Sequence, residues 1–273
     1  MARRGFKNST KKFHRTEHRS VPGRHEKIYI YGKHALMEAL VNSPHAVKKV
    51  FLSPEAGANA ELNALLRQHN ISAASLKHEE SSQLVGKDAA HQGVIAIVDT
   101  AKLIVHFNEW KDTLDINENT CLVLLDELTD PHNVGAIVRS AAAFGASGIL
   151  MPAHHQAGIT GAVVKASAGM VFTIPMVAIG NTNQTIDTLQ RTGFRAYALA
   201  MDGTQSVDAE LFQEPTLIVV GNEGRGVHQK TYERCDVPLR IPMDPRCESL
   251  NASVSAAIVL HAWSAKHPGA LIK

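Results

Sequence analysis

The continuous apolar run Cys121-Leu122-Val123-Leu124-Leu125 constrains this chain more than any other feature. Successive side chains of a strand point to opposite faces, so a run without polar interruption needs cover on both sides, as in a parallel sheet between layers of helices. Further strand-like runs lie at Gly148–Met151, Val171–Ile179, Arg195–Met201, Leu217–Val220 and Val237–Ile241, with helix-like stretches between them at about 133–145, 159–169, 182–192, 227–234 and 250–266. This alternation predicts an α/β fold with a mostly parallel sheet and helices on both faces. In such sheets, ligands bind in the crevice at the strand ends.

Upstream the pattern is that of a smaller α/β unit over residues 28–100. Ile28–Gly32 reads as a strand or chain entry, 33–41 as a helix with Ala35, Leu36, Ala39 and Leu40 on one face, 47–52 as a strand, 58–69 as an amphipathic helix and Gly93–Val98 as a closing strand. Gly32 and Gly93 are explained by backbone geometry alone. Residues 101–119 are rich in Lys, Asp and Asn and read as a linker containing a short helix, with the larger domain at 120–268. At 273 residues and 44% hydrophobic content, the chain is long enough for one large domain or two ordinary ones.

The net charge of +2 is unevenly placed. Residues 1–27 hold nine Lys and Arg against Glu17 and Glu26, while the remainder holds 19 basic and 24 acidic residues. That segment lacks apolar periodicity and is expected to be a disordered basic tail that grips phosphates. A solubilising tail or transit peptide would have similar composition.

No apolar run approaches the ~20 residues of a membrane span and no apolar leader core is present, so a soluble, unsecreted protein without a membrane partner is expected. Three cysteines with no C-x-x-C pair suit a reducing cytoplasm and argue against a disulfide framework or zinc knuckle. The fifteen histidines are scattered, and His154-His155 lacks i, i+4 ligand spacing, so no metal site is expected.

Three blocks sit where a strand-like run gives way to a helix-like pattern. The first is Asp130-Pro131-His132-Asn133-Val134-Gly135, running on to Arg139-Ser140. Asn133 reads as the N-cap of a helix whose inner stripe is Val134, Ile137, Val138 and Ala141. The helical neighbours of Arg139 are the small Ala136, Ala142 and Ala143, which leaves its guanidinium free to point outside its own helix, or simply into solvent.

The second block, Gly221-Asn222-Glu223-Gly224-Arg225-Gly226, comes directly off a strand, and its glycines allow backbone to approach a ligand closely. It is neither a G-x-G-x-x-G nor a Walker loop. Glu223 could pair with Arg139, bind a ribose hydroxyl, or be an ordinary turn carboxylate. The third block is Ile241-Pro242-Met243 followed by Ser249-Leu250-Asn251, where Ser249 and Asn251 stand at N-cap positions ahead of an apolar helix.

The order and content of these blocks resemble the SpoU/TrmH family of RNA ribose 2′-O-methyltransferases, over nearly everything from residue 28 to about 266. The resemblance implies a SPOUT α/β-knot domain, a deep trefoil knot at its C-terminal end, and S-adenosylmethionine (SAM) held by the knotted loops. It places Arg139, Asn133 and Glu223 on the catalytic side together with Ser249 and Asn251, and puts Gly221, Ile241 and Leu250 around SAM, the last two bracketing the adenine. The family works as a homodimer with its active sites near the subunit interface. His91-Gln92-Gly93 and the small N-terminal unit, similar to a ribosomal RNA-binding domain, point to the branch that modifies a guanosine of large-subunit ribosomal RNA. Asp244–Glu248 departs from the commoner pattern, which puts a small residue or Gly soon after the Met, and Ala252 stands in place of a usual Val.

The expected partner is therefore RNA, ribosomal RNA first and transfer RNA second, and not DNA. A noncatalytic RNA-binding or ribosome-assembly module on the same fold is the second hypothesis, disfavoured by the joint presence of Asn133, Arg139, Glu223, Ser249 and Asn251. A nicotinamide-binding oxidoreductase is the third, and it lacks its phosphate loop.

Overall fold

The computed structural model describes residues 27–86 and 89–271. The expected basic tail lies outside the described residues, except Lys27, which opens the first strand.

Strands β1 (Lys27–Tyr31), β2 (Val47–Leu52), β3 (Ala73–Ser75) and β4 (Val94–Asp99) form a mixed sheet in the order β1-β4-β2-β3. The closing strand β4 sits between β1 and β2 and pairs antiparallel with both. The turn into it is shaped by glycine: Gly93 has φ +75°, and a Cβ there would lie 2.3 Å from Ser53 Oγ. Backbone geometry therefore accounts for this residue.

Eight strands make the second sheet: β5 (Ile104–His106), β6 (Cys121–Leu125), β7 (Gly148–Pro152), β8 (Met176–Ile179), β9 (Arg195–Leu199), β10 (Gln205–Ser206), β11 (Thr216–Val220) and β12 (Val237–Arg240). Their order is β10-β12-β9-β11-β6-β7-β8-β5, and every pairing is parallel. The apolar run that opens the large domain shows why. Cys121, Val123 and Leu125 enter one hydrophobic core while Leu122 and Leu124 enter another across the sheet, and all five are buried. From β6 the chain steps outward to β7 and β8, then returns to fill the other side, so the strand order reverses between β6 and β11. A crevice for a ligand is expected at that switch point.

The two sheets share the first of these cores, which runs from Ile30, Leu36 and Leu40 to Val134, Ile137 and Trp263. Buried Ser43 donates to the Phe172 carbonyl across this junction at 3.1 Å, and Lys165 lies 5.5 Å from the centre of the Tyr31 ring.

Two expectations are corrected. Residues 101–119 are not merely a linker: Ile104–His106 pairs with β8 at the edge of the large sheet, and Phe107 is buried in the second core. Val171–Ile179 is not one strand. A helical turn at Met170–Phe172 precedes β8, and Pro175, which has no N–H to give a ladder, stands at the break. Among the described residues, no helix is long and apolar enough to cross a membrane.

Candidate active site

The first motif begins its helix earlier than expected. Asp130, not Asn133, is the N-cap: its Oδ1 accepts from the His132 N–H at 2.9 Å, and Pro131 takes the first helical position of Pro131–Ala143. Asn133 is thereby freed from capping and held on the buried side, only 8% exposed. Its Nδ2 donates to Glu223 Oε1 in the second motif, and its Oδ1 accepts from Asn251 Nδ2 of the third at 3.0 Å.

Asn251 has two functions at once. It caps the Ala252–Ser264 helix, its Oδ1 accepting from Ser253 N–H at 2.9 Å and Val254 N–H at 3.4 Å, while its amide nitrogen reaches Asn133. The three motifs thus meet in a chain, Glu223–Asn133–Asn251. Ser249 is not a cap. It is exposed, and its carbonyl accepts from the Cys247 thiol.

The glycine opening the second motif is needed for a different reason from the one expected. A Cβ on Gly221 would lie 2.2 Å from both Gly226 C and Val227 N, so the loop's own returning backbone occupies that space. Asn222 and Gly226 exchange backbone hydrogen bonds of 3.0 and 2.8 Å, closing the turn that presents exposed Glu223, Gly224 and Arg225. Asn222 Nδ2 also donates to the Glu127 carbonyl at 3.0 Å. Behind the loop, buried Asp126 accepts from the His228 N–H at 2.7 Å. Burial pushes the Asp126 carboxyl above the usual carboxylate range, with the His228 N–H working the other way.

A cavity of about 550 Å³ opens beyond the ends of β9, β11 and β12, beside the switch point. Gly221, Ile241 and Leu250, which the resemblance puts around SAM, line it together with Glu223 and Ser249, which it puts on the catalytic side. Sequence reasoning missed one wall, Leu199–Asp202, which continues from the end of β9, and also Tyr232. Asn133 and Asn251 are outside the lining; Asn133 reaches it through Glu223, and Asn251 sits between the lining residues Leu250 and Ala252. Arg139 is not brought into this group. It is exposed and lies outside the lining, and its guanidinium has no hydrogen bond or ion pair among the described residues. Glu223 pairs with Asn133 instead.

The chain is similar to known proteins over both sheets. A family model described as "SpoU rRNA Methylase family" matches residues 120–261. The chain belongs to the SpoU family of RNA methyltransferases. A second model, "RNA 2'-O ribose methyltransferase substrate binding", matches residues 29–103 of this SpoU protein, the four-stranded sheet and its surroundings.

Among curated relatives, the 23S rRNA (guanosine-2'-O-)-methyltransferase RlmB of Neisseria meningitidis is 31% identical over 233 residues, covering 85% of this chain and 92% of the relative. RlmB of Pseudomonas syringae is 34% identical over 245 residues, with the same two coverages. The chain spans 61% of a longer, uncharacterised tRNA/rRNA methyltransferase from Synechocystis, to which it is 31% identical. The crystal structure of the SpoU methyltransferase AviRb from Streptomyces viridochromogenes, solved in complex with AdoMet, superposes with a TM-score of 0.75 at 24% identity, over 89% of this chain and 91% of that one. That likeness establishes the shared fold.

Proposed function

We propose that this SpoU protein transfers the methyl group of SAM to the ribose 2′-oxygen of a guanosine in large-subunit ribosomal RNA. The observation that carries the reading is the hydrogen-bonded chain Glu223–Asn133–Asn251, which draws three distant motifs to the edge of one cavity. The RlmB relatives support the choice of RNA and nucleotide. Relatives named as tRNA/rRNA methyltransferases, such as that of Staphylococcus haemolyticus at 31% identity, keep transfer RNA as the second reading.

The residues present fit SAM. The volume lies within the roughly 300–1,000 Å³ of small-molecule sites, and the apolar side chains of Leu199, Ile241 and Leu250 offer faces for an adenine. Asp202 and Glu248 place carboxylates on the wall of a site for a cationic sulfonium. SAM supplies an activated methyl group, so the chain has to orient one ribose hydroxyl and dispose of one proton. Glu223 uses Oε1 on Asn133 and keeps its second oxygen for a ribose hydroxyl. The Arg139 guanidinium offers a fork of N–H donors and no acceptor, so its part is to orient a phosphate and stabilise negative charge beside the 2′-oxygen. Its position outside the lining suits the family's homodimer, with active sites near the subunit interface. The trefoil knot and a cytoplasmic location belong to the same reading.

The test is transfer of labelled methyl from SAM to total RNA of cells lacking the protein, with the modified nucleotide mapped. One 2′-O-methylguanosine in large-subunit ribosomal RNA is expected. Label confined to transfer RNA would move the substrate to the second reading. SAM binding with no transfer would leave a noncatalytic RNA-binding module.

A further inference from the structure

Asp126 is a charged residue set directly after the five buried apolar residues of β6, and it is only 4% exposed. Its Oδ2 accepts from the His228 N–H at 2.7 Å, and its Oδ1 lies 3.5 Å from Thr231 Oγ1. The next residue, Glu127, sits at φ +60° and turns its carbonyl to Asn222 Nδ2 at 3.0 Å. Two consecutive residues therefore hold the second motif at both ends, Glu127 at Asn222 just inside its start and Asp126 at His228 two residues past its close, while its tip is held by Asn133. Four residues after Asp126, Asp130 caps the helix that carries Asn133. The short segment Asp126–Asp130 thus fixes both the wall of the cavity and the start of the catalytic helix.

We propose that Asp126 is a positioning residue for methyl transfer: its buried carboxylate pins the rear of the Gly221–Gly226 loop to the end of β6 and sets the cofactor wall in register with Asn133. The proposal rests on the cavity being the SAM site. It differs from a plain structural role in what it predicts for charge. Burial raises the Asp126 pKa in the fold, so the ionised form is disfavoured there. The resulting stability is present below the unfolded pKa and is lost as pH rises through the folded one, so ionising this carboxyl works against folding. What the charge does supply is a stronger hydrogen bond to the loop than a neutral acceptor makes. Stability and loop positioning therefore pull in opposite directions at this residue.

The experiment measures SAM affinity by calorimetry, Tm, and kcat and KM on RNA for the full-length protein, D126N and D126A. Asn keeps an acceptor for His228 and removes the buried charge. D126N is expected to melt at or above wild type and yet bind SAM about fivefold more weakly. D126A, which leaves the His228 N–H without its acceptor, is expected to melt lower and to bind SAM about 30-fold more weakly, from the difference between charged, neutral and missing hydrogen bonds. In both, KM for RNA should stay within about twofold of wild type. Wild-type SAM affinity in D126N, or affinity that rises and falls with Tm across the two variants, would overturn the proposal. Failure of the wild-type protein to bind SAM would instead overturn the reading of the cavity, and this proposal with it.

Discussion

The two loops that wall the cavity are built differently. The Gly221–Gly226 loop and the His228 that follows it are fixed to distant parts of the chain, through hydrogen bonds that span 90, 95 and 102 residues to Asn133, Glu127 and Asp126. The Asp244–Leu250 loop is tied chiefly to itself. Asp244 pairs with Arg246 at 2.8 Å and accepts from the Cys247 N–H at 2.9 Å, and the Cys247 thiol donates to Ser249, all within three residues. Only at its end does Asn251 reach across to Asn133. Long-range ties fix a loop relative to the sheet, whereas local ties fix only its own shape, and exposed segments with few outside contacts open at low cost. One wall of the cavity is preformed and the other is free to adjust around what it binds.

The largest effect is expected where the preformed wall is broken from within. Gly221→Val would drive a side chain into the Gly226–Val227 backbone, and SAM affinity should fall by more than about 10²-fold while the circular dichroism of the rest of the fold persists. Near-normal binding would mean that this loop is as adjustable as its neighbour. Arg139→Ala should lower kcat by at least about 10²-fold with SAM affinity unchanged, because the side chain stands outside the lining. A fall in affinity would bring Arg139 into the cofactor wall.

Asn251→Ala removes a helix cap and the link to Asn133 together. A cost of about 1 kcal/mol for the cap alone lowers Tm by roughly 2–4 °C, and turnover should drop about tenfold from the loosened Asn133. Ser249→Ala, with no capping role, should leave Tm unchanged. At the small end, Asp244→Ala cuts an exposed local pair, so Tm should not move and SAM affinity should change by less than about threefold. A larger loss would make the third loop a preformed wall as well.

Much of the large sheet was legible because its strands are continuous apolar runs, and Cys121–Leu125 alone demanded cover on two faces. Strands β5 and β10, at the sheet's edges with three and two residues, carry too little pattern to be seen. The start of the first motif helix was misread because Asp130 and Asn133 both make good caps. Pro131 held the answer, since proline favours the first helical position and so marks the residue before it. The consequence reaches the site, because an Asn relieved of capping can join Glu223 to Asn251. The Leu199–Asp202 wall and Asp126 were missed for another reason. Their importance comes from strand order, which places the ends of β6, β9, β11 and β12 side by side, and no local pattern encodes that order.

Amide hydrogen exchange, with and without SAM, tests the unequal walls of the cavity most directly. In the free protein, the Asn222, Gly226 and His228 amides should already be protected and those of Arg246 to Leu250 should exchange fast. On adding SAM, the second group should gain protection by about tenfold or more while the first changes little. Equal exchange in both loops before SAM, or no gain in the Asp244–Leu250 loop after it, would contradict a cavity with one preformed wall and one that closes on the cofactor.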